Sequence, residues 1–470
     1  MLGIKVISFY LQFPPFRSSL KKMIKLSSLS HRGYPVKIAF TLASISPRFG
    51  VIFLFLTVFL SGCVFMDLKK EIDEMEKHYT LAGNVALPSS PQGTVLVLLY
   101  SAKMEENELV SYTIPADTGH FSFFVSKGTY YLTAFEDRNN NLSYDKGELV
   151  GYFGAPDKIV IPAENVTPQN SGDVLNLDME LKYTDHYLAG FQPAIDLERI
   201  NQSVFVKFGQ ISSLDDKIFS AENGANGYWK PLTFLRDCGF GIYFLEPYDP
   251  EKIPVLFVHG ALGTPEGWKN IVERLDRSRF QPWFYYYPSG LRLEDVADAL
   301  NEIIKKIHET YGFKTLYITA HSMGGLVSRS FIMKNFYQDH QDYIKLFISI
   351  STPWNGHRLT EKGVKKAPEA VPSWHDMVPD SDFIRSVFQM DFPEECTYYL
   401  TFSFKGNCSL FLYNNDGTVE LSSELDYRAQ NDADMIFGFD EDHGSILISP
   451  EFLDYFRQIL DEEYRAAGSK

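Results

Sequence analysis

The sequence predicts an α/β protein in which a doubly wound, mostly parallel sheet with a lid-like insertion follows a small all-β sandwich. Three observations carry that prediction. From Val255 onward, apolar strand-like runs (VLFVH at 255–259, PWFYYY at 282–287, LYIT at 316–319, IKLFISIS at 344–351) alternate with helical patterns such as the one over 293–311, the rhythm of βαβ units. Between 81 and 182 the runs are short, alternate with period two and are separated by turn-rich segments, as in a sandwich. Between Thr315 and Ser330 the period switches within one motif. Leu316 to Thr319 reads as a buried strand, and Met323, Leu326 and Val327 then recur at helical spacing, so Ser322 stands at a strand-to-helix corner.

The chain of 470 residues has room for more than one domain, and 45% hydrophobic content suffices for buried cores. A formal net charge of −16 repels phosphate backbones and argues against nucleic acid as a partner. Residues 1–62 stand apart. They carry eight basic residues from Lys5 to Arg48 and no Asp or Glu, followed by the apolar run Val51–Leu60 and then Ser61, Gly62 and Cys63. This is the layout of a secretory signal, with an apolar run too short to span a bilayer. Leu60-Ser61-Gly62-Cys63 resembles the lipobox of bacterial lipoproteins. The resemblance implies cleavage before Cys63, lipid attachment at Cys63 and a place in the bacterial cell envelope, at the outer membrane or cell surface. Each buried acyl methylene contributes about 0.8 kcal/mol, so several chains on one cysteine hold durably. A plain signal with a chance cysteine is the alternative. Of the remaining cysteines, Cys396 and Cys408 are near enough in sequence to close a loop contributing about 3 kcal/mol, with Cys238 left over.

Residues 63–80 are charged and lack a clear apolar face, which predicts a solvated tether. The sandwich follows over 81–182, with strands at Thr94–Tyr100, His120–Val125, Thr129–Phe135, Lys158–Pro162 and Val174–Leu181. Inside it, Asp137, Asn139, Asn141, Ser143, Asp145 and Glu148 occupy positions 1, 3, 5, 7, 9 and 12 of a loop, the ligand spacing of a calcium site. Leu142 replaces the glycine that an EF-hand needs, and the flanks are strands. The loop therefore reads either as a calcium-binding turn or as a polar hairpin. Residues 183–240 form a connector, and 241–470 the α/β domain with its insertion at 357–395.

A serine hydroxyl attacks a carbonyl when a base takes its proton, a carboxylate orients the base and donors receive the oxyanion. Ala320-His321-Ser322-Met323-Gly324 is G-x-S-x-G with alanine in the first place, and it resembles the nucleophile elbow of α/β-hydrolases. His259-Gly260-Ala261, at the end of a buried strand, resembles that family's oxyanion turn and implies the N–H groups of Ala261 and Met323 as donors. Asp416-Gly417-Thr418-Val419 resembles the turn around the acid of lipase-like hydrolases, with Asp426 and Asp432 as alternatives. His443, in Asp442-His443-Gly444-Ser445 before the closing helix, is the base that fits the chain order Ser, acid, His. His321, His340, His357 and His375 are its competitors, and His259 reads as structural. Ser351-Thr352-Pro353-Trp354-Asn355-Gly356-His357 resembles a turn of bacterial lipases that opens onto their lids. Val371, Trp374, Met377, Phe383, Ile384 and Val387 give this insertion an apolar face that suits a mobile lid or a permanently packed cap alike.

The chain thus resembles the α/β-hydrolase superfamily, in its bacterial lipase/esterase and GPI-inositol-deacylase-like branch, over about 241–463. The resemblance implies a serine hydrolase cleaving carboxylic esters of an ester or lipid-like substrate through Ser322, His443 and Asp416 and an acyl-enzyme. No cofactor is required, although the loop at Asp137, Asn139, Asn141, Asp145 and Glu148 admits calcium. An amidase, thioesterase or acyltransferase uses the same three residues, and a non-catalytic surface binding lipoprotein would keep the fold without the reaction.

Overall fold

The computed structural model describes residues 64–87, 92–102, 107–115, 119–154, 156–161, 176–184, 186–196, 206–406 and 413–468. The leader, Cys63 and Cys408 lie outside them. Among the described residues, no helix is long and apolar enough to cross a membrane.

Eight strands form the main sheet: β1 (Val206–Ile211), β2 (Phe240–Phe244), β3 (Ile253–Val258), β4 (Phe280–Tyr286), β5 (Leu316–His321), β6 (Ile344–Ile350), β7 (Thr397–Ser403) and β8 (Met435–Phe439). Their spatial order is β1-β2-β4-β3-β5-β6-β7-β8. Every pairing is parallel except that of β2 with β4. Side chains alternate between the faces as the pleat requires. Leu256 and Val258 pack with helices α1 (Leu293–Tyr311) and α2 (Met323–Tyr337), whereas Val255 and Phe257 pack with the closing helix Pro450–Gly468. Helix α1 buries Val296, Leu300, Ile303, Ile304 and Ile307 along one stripe and ends at Gly312, whose φ of +62° suits a residue without a side chain. The chain steps from β3 out to β4 and returns past β3 to β5. That reversal opens a crevice beyond the carboxyl ends of β3 and β5, the place where open α/β sheets bind ligands.

Residues 183–240, expected as a connector, supply β1 and the helices Ala221–Trp229 and Pro231–Asp237. Strand β1 left little trace in the sequence because it is a half-exposed edge strand broken by a bulge at Gly209. The charged segment read as a solvated tether is a helix over 64–75. Phe65 and Leu68 are buried against Val371, with Ile72, Trp229 and Trp374 packed around them. Glu71 receives the backbone N–H and hydroxyl of Thr233 at 2.8 and 2.7 Å. The spacing of Phe65, Leu68 and Ile72 is one narrow stripe, which the surrounding charges hid.

Three short helices, α3 (Arg358–Lys366), α4 (Pro372–Asp376) and α5 (Asp382–Ser386), lie within the insertion. Met377, Phe383, Ile384 and Val387 are buried in the main core. The carboxylate of Asp376, itself buried, accepts the Leu293 N–H at 2.6 Å and pairs with Arg292 at 2.6 Å. Cys396 is a free, buried thiol; Cys408, with which a loop closure was expected, lies outside the described residues.

In the amino-terminal part, strands His78–Ala86 and His120–Ser126 pair antiparallel, and Thr94–Ser101 pairs with both Glu108–Thr113 and Gly128–Asp137. Leu81, Val85, Phe121 and Phe123 from the first sheet meet Val97, Leu99 and Leu132 from the second in one core. In the loop read as a calcium candidate, the oxygens are engaged by the turn itself. Asp137 accepts the N–H groups of Asn141 and Leu142, Glu148 accepts those of Arg138 and Asp145, and the Asp145 carboxylate accepts the side-chain amides of Asn139 and Asn141. Among the described residues, no three His, Cys, Asp or Glu side chains gather as a metal-binding group.

Candidate active site

Ser322 joins β5 to α2 at φ +55°, ψ −131°, a backbone conformation that costs energy for any residue bearing a side chain. Small neighbours let the corner close. A Cβ on Gly324 would stand 2.4 Å from the Val258 carbonyl oxygen, and one on Gly260 would stand 2.7 Å from the Ser322 Cβ. Ala320, in the place where the motif has glycine, is fully buried in the core on the α1–α2 side. The Ser322 N–H donates to the Ile350 carbonyl at 2.8 Å, which fixes the hydroxyl above the edge of the sheet.

Two loops far apart in sequence complete the arrangement. His443, after β8, brings Nε2 to 2.9 Å from Ser322 Oγ, and its Nδ1–H donates to Asp416 Oδ2. The His443 N–H donates to the Asp416 carbonyl at 2.9 Å, and His321 Nε2–H donates to the His443 carbonyl at 2.8 Å. Both the ring and the backbone of His443 are thereby held. Asp416, after β7, is fully buried; Oδ1 accepts the N–H groups of Thr418 at 2.9 Å and Val419 at 2.7 Å, and Oδ2 accepts the Ser403 hydroxyl at 3.3 Å. Burial raises the carboxyl's pKa, but the neighbouring His443 and the two N–H donors outweigh it, leaving the group below its ordinary value and ionised. With Asp416 accepting at Nδ1, the neutral ring presents Nε2 as the acceptor for the serine proton.

The competing residues are occupied elsewhere. His259 stacks on Tyr287, with ring centroids 4.3 Å apart, and bonds to Gly260. His357 donates to the Thr418 carbonyl at 2.7 Å and caps α3, while His340 and His375 are exposed. Asp426 pairs with Arg428 at 2.7 Å, and Asp432 with the buried Arg329 at 2.6 Å. Ala261 is exposed in a turn closed by the Gly263 N–H on the Gly260 carbonyl at 3.1 Å. Met323 is the first residue of α2, where N–H groups have no acceptor within the helix. Ser403, Ser351 and Glu424 crowd behind Asp416; polar residues in strand and helix runs gave no sign of it. A cleft of about 590 Å³ between β8 and the closing helix contains none of these groups.

Two of these histidines are expected to make the fold acid-sensitive. Burial pushes His259 down to about 4, and burial together with nearby His443 pushes His321 down to about 3. In an unfolded chain both titrate near about 6.5, so below that value the unfolded state binds the extra protons. Their contribution is whole above about pH 6.5 and declines as pH falls towards about 4. Urea midpoints should drop across that window, and a flat profile would contradict neutral burial of these rings.

No curated protein matches this chain. Residues 286–371, well under half of the chain, match the family profile of the PGAP1-like alpha/beta domain. Among solved structures, the mature lipase BlEst2 of Bacillus licheniformis is similar at 19% identity and a TM-score of 0.37, covering 47% of this chain and 97% of its own. A carboxylesterase of the thaumarchaeon Nitrososphaera gargenis is similar at 12% identity and a TM-score of 0.33, covering 48% and 97%. The mouse alpha/beta hydrolase domain-containing protein 10 gives 14% identity, a TM-score of 0.33, and coverage of 48% and 94%. At such scores the likenesses carry no functional weight, and the strand order and the elbow geometry have to speak for themselves.

Proposed function

We infer that this chain, an α/β-hydrolase by its fold, is a serine hydrolase that cleaves carboxylic esters of lipid-like or acyl character. The observation that carries the reading is the unbroken hydrogen-bonded chain Ser322–His443–Asp416 at the crevice beyond β3 and β5. As Ser322 Oγ attacks the carbonyl carbon, its proton passes to His443 Nε2, and ionised Asp416 stabilises the imidazolium. The N–H groups of Ala261 and Met323 would receive the oxyanion. His443 then gives its proton to the departing alkoxide, and water releases the acyl group from Ser322 by the same route. The lipobox-like run before Cys63 supports attachment of the protein to a bacterial envelope membrane through lipid.

A fluorophosphonate probe is expected to label the folded protein at Ser322. In an acyl-length series of p-nitrophenyl esters, activity should rise smoothly through the solubility limit, because the insertion is fastened to the core through Asp376, Phe383 and Ile384. Absence of label on folded protein would count against the reading, and a jump at the limit would count against a fixed insertion.

A further inference from the structure

A second carboxyl lies directly behind Asp416. Glu424 ends the short helix α6 (Leu421–Glu424) and is 1% exposed. One of its oxygens accepts the Ser403 N–H at 3.3 Å, while Oε1 is buried and meets no hydrogen-bond donor. Ser403 links the two acids, since its N–H serves Glu424 and its hydroxyl serves Asp416 Oδ2 at 3.3 Å. The Glu424 side chain also lies in hydrogen-bonding contact with that of Asp416.

Two buried carboxyl groups in contact do not both ionise. The donors around them decide which one keeps the charge. Asp416 receives two backbone N–H groups, the Ser403 hydroxyl and the His443 N–H. Glu424 receives one N–H, from Ser403, and has the Ser351 hydroxyl beside it, fewer donors than Asp416 has. Burial, reinforced by the charge on Asp416, holds the Glu424 carboxyl well above the ordinary range. An oxygen that meets no donor is then explained: it carries the proton and is itself the donor.

We propose that Glu424 is a positioning residue for the serine hydrolase chemistry, donating its O–H as a neutral acid to the Asp416 carboxylate and so keeping Oδ2 aimed at His443 Nδ1. The proposal rests on the reading of Ser322, His443 and Asp416 given above. It differs from a space-filling role in that the effect travels through Asp416 to the base.

Glu424→Leu keeps most of the volume and removes the donor. Its kcat on a p-nitrophenyl ester is expected to fall about tenfold with KM unchanged, the scale of losing one buried hydrogen bond to a charged group. Glu424→Gln, whose amide can donate to Asp416 and accept from Ser403, should recover most of that loss. A second measurement serves if the Leu variant does not fold. The infrared spectrum of the wild type at neutral pH should contain the C=O stretch of a protonated carboxylic acid that Glu424→Gln lacks. Wild-type kcat in the Leu variant, equal losses in both variants, or no such band would overturn the proposal. Fluorophosphonate labelling separates the two levels. An unlabelled wild type removes the hydrolase reading itself, whereas a labelled wild type with unimpaired Glu424→Leu removes only the part given to Glu424.

Discussion

Ser322→Ala is expected to lower hydrolysis of short p-nitrophenyl esters by at least about 10³-fold, the scale of removing a serine nucleophile. The variant should keep the parent's melting temperature, because the hydroxyl's partner is a single imidazole nitrogen 2.9 Å away and the backbone strain at φ +55° belongs to alanine as much as to serine. The measurement is kcat/KM alongside a thermal melt. A loss of only a few-fold in well-folded protein would mean that another group performs the attack. The neighbouring histidine offers no such substitute, since His321 Nε2 is committed to the His443 carbonyl.

Asp416→Asn should be nearly as damaging, at about 10³- to 10⁴-fold, although it changes one atom and no volume. The environment of the carboxylate dictates how the new amide must sit. Oδ1 faces two donors, the N–H groups of Thr418 and Val419, so the NH₂ group cannot occupy that side without opposing both of them. It is forced to the Oδ2 side, where it meets His443 Nδ1. The ring must then accept there and carry its proton on Nε2, facing Ser322, where it can no longer take the hydroxyl proton. The loss should appear in kcat, with fluorophosphonate labelling slowed in proportion. Full activity in Asp416→Asn would transfer the acid's role elsewhere, against the ion pairs that already engage Asp426 and Asp432.

What could be read in advance followed from how strongly burial is imprinted on local pattern. Helix α1 was legible from end to end because Val296 to Ile307 return to one face and Gly312 stops the turn. The corner at Ser322 was legible because strand and helix periods meet there and because Gly324 has no room for a side chain. Strands β1 and β8 were not anticipated. Each lies at an edge of the sheet with much of its surface exposed: β1 mixes polar and apolar residues, and the short apolar run MIFGF of β8 stands largely in the open, where such a run ordinarily predicts burial. Glu424 was invisible for a different reason, since an acidic residue in ELSSEL resembles any solvated one until the fold surrounds it. At Asp137–Glu148 the spacing of the oxygens was legible, and the fold adds what the spacing could not show, that Asp137 and Glu148 also accept N–H groups of their own turn.

The helix over 64–75 has a mechanical consequence. Phe65 is buried against the insertion two positions after Cys63, and Leu68 and Glu71 add further grips before the first strand begins. A lipid carried at residue 63 would therefore sit on a short, stiff mount with almost no play. Were a lipid attached there as proposed above, the flank of the insertion gripped by Phe65 and Leu68 would be the part of the protein nearest the anchor.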